Sequence, residues 1–199
     1  MKKLIAIFLC ISLLGLAACS GGEGKDENPS KGTVSSPVAS GKIDGIDFGL
    51  GADVSAVREH YYSLAVSDSS VDTGEDHNHE NEEPQAYYSH TEKDGYSVID
   101  ISEARFYYVH GKEDKGIAAV ATDSAAFGFT PGVTYKYEIE EATEAGGETL
   151  NAGEKELKFL AVRQEEVIVL RYEYENYQLD YYFYDNMLIT TVLLDTTIW

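Results

Sequence analysis

Apolar positions change their spacing twice along the chain. Residues 4–16 are almost continuously apolar, broken only by Ser12 and Gly15. Residues 20–41 offer almost nothing to bury, and from Lys42 onward apolar residues recur at helical and strand periods. The folded part therefore starts near residue 42. Its first helix is predicted from Val54, Val57, Tyr61 and Leu64, with Asp53 as N-cap after Phe48-Gly49-Leu50-Gly51-Ala52. A second helix is predicted from Tyr135, Ile139 and Ala142, with Thr134 in the capping place after Phe127-Gly128-Phe129-Thr130-Pro131-Gly132-Val133.

Strand patterns follow each helix. In the first half they cover 85–91, 96–102, 104–110 and 117–122, with Asp94-Gly95 as the firmest turn and Ser102-Glu103 as a weak break. In the second half they cover 157–162, 167–175, 177–184 and 187–194, separated by Arg163-Gln164-Glu165-Glu166, Glu175-Asn176 and Asp185-Asn186. A helix and then four antiparallel strands, twice, is an α+β architecture of two tandem repeats, about 42–123 and 124–199. Its helices are expected on one sheet face, with the other face open. Alternation puts Tyr177, Leu179, Tyr181 and Phe183 in the core with Ile168, Leu170, Tyr172 and Tyr174. Gln178, Asp180, Tyr182, Tyr184, Arg171, Glu173 and Glu175 then look outward.

The apolar N-terminal run has the form of an export signal. Met1-Lys2-Lys3 is a positive start, the apolar stretch is too short for a mature membrane span, and Leu16-Ala17-Ala18-Cys19 resembles a bacterial lipobox. Residues 1–18 are thus expected to be removed and Cys19 to take the lipid. The plain alternative is an ordinary secretory signal followed by a chance cysteine. The other thiol, Cys10, lies inside the signal, so the mature chain has none left for a disulfide or a nucleophile. Residues 19–41 read as a flexible tether, whose random-coil reach of roughly 5–6 Å times the square root of residue number keeps the domain within a few nanometres of the bilayer. Two or more acyl chains make such an anchor stable. The formal net charge of −20 argues against nucleic acid and against anionic headgroups as partners. It also serves plain solubility.

The two glycine-cap-helix units, Gly51 with Asp53 and Val57 and Gly132 with Thr134, carry a resemblance. Together with Leu170-Arg171-Tyr172, Leu179-Asp180-Tyr181-Tyr182-Phe183 and the closing Trp199, they make residues 42–199 similar to the tandem repeats of the β-lactamase-inhibitor-like fold. With its lipobox, the chain also resembles the DUF4309 type of Gram-positive lipoprotein. The chain departs from that pattern where Tyr61-Tyr62-Ser63 and Ala145-Gly146-Gly147 replace the family's Gly-x-Pro step, and where Ile139 sits one residue late. The resemblance implies a non-catalytic module whose open sheet face grips another protein.

Three chemistries compete within the domain. Asp76, His77, His79 and Glu80, in an acidic loop, have the ligand types of a zinc site, and His60, His90 and His110 join it only if the fold brings them near. The simpler reading of this loop is a solvated acidic run, with no resident cofactor beyond weak zinc. For hydrolysis there is no Gly-x-Ser-x-Gly elbow, and the glycines at 45–51 lack a P-loop lysine, so no catalytic residue is assigned. Fifteen tyrosines suit strands, but Tyr182 and Tyr184, beside Arg171 and Asp180 and with Tyr107 as a companion, are expected on the open face as anchors for a protein or glycan. The expected protein is a non-enzymatic, lipid-anchored binding module outside the cytoplasmic membrane, in a Gram-positive cell. Metal capture is the alternative, and a hydrolase ranks behind both.

Overall fold

Asp53 caps the first helix as its sequence requires: its Oδ1 accepts a hydrogen bond from the Ala56 N–H at 2.8 Å. This is seen in a computed structural model of the chain, which describes residues 40–69, 87–143 and 146–199. Helix α1 (Val54–Ser69) buries Val54, Val57 and Tyr61, whose spacing lays them along one face. Helix α2 (Lys136–Ala142) starts one residue later than a Thr134 cap implies. Glu138 Oε2 reaches back to the Tyr135 N–H at 2.7 Å, while Thr134 Oγ1 accepts from the Thr130 N–H instead.

The strands are β1 (Tyr88–Glu92), β2 (Tyr96–Ile101), β3 (Arg105–Val109), β4 (Ala119–Thr122), β5 (Glu148–Asn151), β6 (Ile168–Glu173), β7 (Tyr177–Tyr184) and β8 (Met187–Asp195). They form one eight-stranded antiparallel sheet in the order β1-β2-β3-β4-β8-β7-β6-β5, and the fold is α+β. Tight turns set the register. Asp185 and Asn186 both take positive φ, the form that a two-residue hairpin between twisted strands demands. The weak break at Ser102-Glu103 is a true turn, closed by the Ile101 N–H donating to the Ala104 carbonyl at 2.9 Å.

Two expectations are corrected, one in the second half of the chain and one on a face of the whole sheet. No strand covers 157–162: a single helical turn, α3 (Glu154–Leu157), takes its beginning, and the edge strand of this half is β5. The cause is local. The Glu156 and Leu157 N–H groups both donate to the Gly153 carbonyl, and Glu156 Oε2 accepts from the Gly153 N–H at 3.0 Å, so the chain coils before it can extend.

The second correction concerns the sheet face opposite α1 and α2, which is covered rather than open. On the first face, Ile43 and Ile46 of the N-terminal segment pack with α1, α2, Ile99, Phe106, Val120, Leu170, Tyr181 and Leu193. On the other face, Phe159, Leu157, Leu160 and Trp199 close over Tyr107, Ala119, Ala121, Val169, Tyr182, Val192 and Leu194. The central strands carry apolar residues on both faces, and such strands need both faces covered. The inward expectation holds for Leu170, Leu179, Tyr181 and Phe183, while Tyr174 is 37% exposed.

The segment that leads into α1 is clamped against the approach to β4. The Gly51 N–H donates to the Ile117 carbonyl at 2.8 Å, and the Ile117 N–H donates to the Ala52 carbonyl at 2.9 Å. Gly116 makes this approach possible: its φ is +80°, and a Cβ there would stand 2.5 Å from the Ala52 oxygen and 2.6 Å from that of Gly51. Gly116→Ala is expected to lose about 2–3 kcal/mol from backbone strain and overlap together. A chemical denaturation midpoint unchanged from the wild type would contradict this close approach.

Candidate functional site

Of the five residues expected as anchors on an open face, Tyr182, Tyr184, Arg171, Asp180 and Tyr107, only Tyr184 reaches solvent substantially, at 47% exposure. Tyr182 is fully buried and Tyr107 is 1% exposed, both inside the second core. Asp180, at 2%, faces Arg171 across β6 and β7, where the two are register partners. Arg171 Nε donates to Asp180 Oδ1 at 2.9 Å and its Nη2 to Oδ2 at 2.8 Å, a two-pronged pair joined by Glu156 at 3.4 Å and by Gln178 Nε2 at 2.8 Å from Oδ2. Burial pushes the Asp180 carboxyl above the ordinary carboxylate range, and the Arg171 guanidinium opposes it. The structure thus brings Arg171 and Asp180 together, but as an internal clamp. The outward placement of Tyr182 and Tyr107 is corrected for the same reason as the open face: α3 and the chain after it lie on top of them.

A second clamp stands on the same face. Arg105 pairs Asp123 through its two terminal guanidinium nitrogens, Nη1 at 2.7 Å and Nη2 at 2.8 Å, and Nη2 also donates to the Phe159 carbonyl at 3.2 Å. Thr190 Oγ1 donates to the same aspartate at 2.6 Å. Despite the burial that opposes it, these donors hold the Asp123 carboxyl below its usual range. Sequence reading passed over Arg105, because an arginine at the head of an apolar strand reads as a solvated end.

Tyr184 lines a hollow of about 690 Å³ with Asn151, Glu166, Val167, Asp185 and Asn186. A groove of about 500 Å³ between α1 and the end strand β1 combines more varied chemistry. It is lined by Ser55, Arg58, Glu59, Tyr62, Tyr88 and His90. Helix α1 supplies the first four because its outward face turns there, leaving Tyr62 59% exposed beside the buried Tyr61. Tyr62 meets Tyr88 edge-on, with ring centroids 5.7 Å apart. His90 lies parallel to Tyr108 at 6.1 Å and shares a 2.8 Å hydrogen bond with its hydroxyl. Burial, and then the nearby Arg58 charge, lower the His90 pKa, so the imidazole is neutral at neutral pH. The floor of the groove is therefore aromatic, with an arginine and a glutamate at its rim. Its residues come from two distant stretches, and the only sequence hint is the pair Tyr61-Tyr62, of which a helix can bury just one.

The histidines are not gathered. His60 Nε2 is 3.3 Å from Asp47 Oδ2, and His110 Nε2 shares a 2.8 Å hydrogen bond with Ser97 Oγ. Among the described residues no group of three or more His, Cys, Asp or Glu side chains is placed to hold a metal. Asp76, His77, His79 and Glu80 lie outside the described residues, as do Cys19 and the whole export signal. No described helix is long and apolar enough to cross a membrane.

These observations define the protein by fold alone: an α+β domain on one eight-stranded antiparallel sheet. Comparison of the chain with protein-family models, with curated proteins and with solved structures returned no match in any of the three.

Proposed function

We propose that this chain is an exported lipoprotein, acylated on Cys19 and held outside a Gram-positive cytoplasmic membrane, whose α+β domain is a non-catalytic binding module. The observation that carries the reading is the run Leu16-Ala17-Ala18-Cys19 after a basic start and an apolar stretch, followed by a tether with nothing to bury. Replacing Cys19 with serine is expected to move the protein out of the membrane fraction. Equal membrane retention of Cys19→Ser and wild type would remove the anchor.

The domain itself is proposed to be a duplicated unit of the β-lactamase-inhibitor-like kind. A shared set of backbone bonds supports this. In the first half the Gly51 N–H donates to the Ile117 carbonyl and the Ile117 N–H returns a bond to Ala52. In the second half the Gly132 N–H donates to the Leu188 carbonyl and the Leu188 N–H returns a bond to Thr134, each 2.8 Å. Each glycine precedes its helix in a positive-φ conformation, and each partner residue stands at the entry to the last strand of its half, Ile117 two residues before β4 and Leu188 second in β8. Those two last strands, β4 and β8, pair with each other at the middle of the sheet.

With the second face filled, the binding site of the module is assigned to the groove between α1 and β1. A sheet-end strand beside an aromatic floor suits an extended segment of another protein, which can add to β1 and place side chains against Tyr62 and Tyr88. The double change Tyr62→Ala with Tyr88→Ala is expected to weaken capture of an envelope partner at least about tenfold while costing the fold under about 1 kcal/mol. Full capture by the double variant in quantitative cross-linking would take the site away from this groove.

A further inference from the structure

Lys158 follows α3 directly and turns its amine onto the aromatic group that closes the second core. Its Nζ is 3.9 Å from the centre of the Trp199 ring, 5.3 Å from that of Phe159 and 5.6 Å from that of Tyr96. All three lie within the range over which a cation is drawn to an aromatic face. The rings are held in place before any cation arrives. Trp199 packs on Tyr96 at 5.6 Å, on Phe159 at 5.2 Å and on Tyr107 at 6.0 Å. Phe159 and Tyr107 are buried, and the Tyr107 hydroxyl donates to the Lys158 carbonyl at 3.4 Å. Tyr96 and Trp199 stay half-buried, so the platform has a solvent side.

What holds the amine there is unusual for so acidic a chain. Among the described residues no carboxylate stands within ion-pair distance of Lys158 Nζ and no acceptor takes a hydrogen bond from it, so ring faces are the partners of the amine there. Burial pushes the ammonium down to about 8, with Glu156 opposing the shift. A primary ammonium is a poor occupant of such a place, because its three donors lose water and gain no acceptor. A trimethylammonium group has the same charge, no donor to satisfy and an apolar shell that fits the rings. The net charge of −20 raises the local concentration of any cation near this surface.

We propose that Trp199, Phe159 and Tyr96 form a binding site for trimethylammonium-bearing molecules, which Lys158 fills as an internal, displaceable ligand. This site is separate from the groove between α1 and β1 and is independent of acylation.

Trp199 is the only tryptophan in the chain, so its fluorescence reports the site directly. Choline chloride is titrated into the full chain, in a detergent free of choline head groups, against sodium chloride at equal ionic strength. Saturable quenching by choline alone is expected. Lys158→Met, which keeps the stem and removes the charge, is expected to bind choline about tenfold more tightly, the gain from deleting a competitor worth roughly 1.4 kcal/mol. Lys158→Gln serves as a second variant should the first fold poorly, and Tyr96→Ala is expected to weaken binding. Glycerophosphocholine distinguishes the source: weaker binding than choline assigns a free cation, and tighter binding assigns a lipid head group. Quenching by choline no greater than by sodium chloride in the wild type and in a folded Lys158 variant overturns the site. Equal choline affinity with and without the lysine charge overturns its role as internal ligand.

Discussion

Tyr182→Ala will destabilise the domain by about 4 kcal/mol, the cost of removing a large ring from a packed core and leaving a cavity. The side chain has no exposed surface and lies among Val169, Val192, Phe159 and Tyr107, so nothing nearby can swing in to fill the space. Its hydroxyl has no hydrogen-bond partner among the described residues. Tyr182→Phe is therefore expected to leave stability unchanged or raise it by up to about 1 kcal/mol, since an unsatisfied buried hydroxyl is costly. The two variants together separate a core role from a contact role. On an open face, alanine would change stability by no more than about 0.5 kcal/mol, whereas a loss of about 4 kcal/mol in the unfolding free energy from urea denaturation is what a filled second face requires.

The second large effect is expected at Arg171. Asp180 is almost wholly buried, and Arg171 Nε and Nη2 satisfy both of its carboxylate oxygens. Arg171→Ala leaves an ionised carboxylate with only Gln178 as donor, at a cost of about 3 kcal/mol near neutral pH. That is the low end for breaking a buried pair, because Arg171 keeps some contact with water. The direction with pH follows from burial. The folded-state pKa of Asp180 is raised above its unfolded value near 3.8, so its favourable contribution is complete below that value and is lost as pH rises through the folded pKa. Without Arg171 the opposing pull disappears and the folded pKa climbs further. The deficit of Arg171→Ala relative to wild type should shrink as pH falls, because a protonated carboxyl needs no counter-charge. A deficit that is constant with pH would mean that Asp180 is not the group left stranded.

Local chemistry made much of the sheet legible in the sequence. Strand β7 matches its predicted limits, because Tyr177, Leu179, Tyr181 and Phe183 alternate strictly and turn residues stand at both ends. Asp53 was identifiable as a cap because its carboxylate acts within three residues of its own position. Strand β5 escaped notice because Glu148-Thr149-Leu150-Asn151 is short and polar, and its place depends on pairing with β6. The stretch from Leu157 to Val162 is apolar enough to read as a strand, yet the bonds from Glu156 and Leu157 to the Gly153 carbonyl, and from Phe159 to that of Glu156, set its start coiling.

The site was legible only in its parts. Alternation placed Arg171, Asp180 and Tyr182 on one face, and the register shows that the first two are cross-strand partners. Whether that face meets water was decided by Phe159 and Trp199, which no spacing rule connects to it. The groove between α1 and β1 joins Tyr62 of a helix to Tyr88 of a sheet edge, more than twenty residues apart in the chain, a distance that periodicity does not bridge.

The anchor is the claim from which the rest of the functional reading hangs, and intact-mass analysis of the N-terminal peptide of the purified protein tests it most directly. Acylation predicts a mature chain that begins at Cys19 and carries diacylglyceryl mass on its sulfur. A chain that still begins at Met1, or a free Cys19 thiol on a fully processed protein, would contradict it.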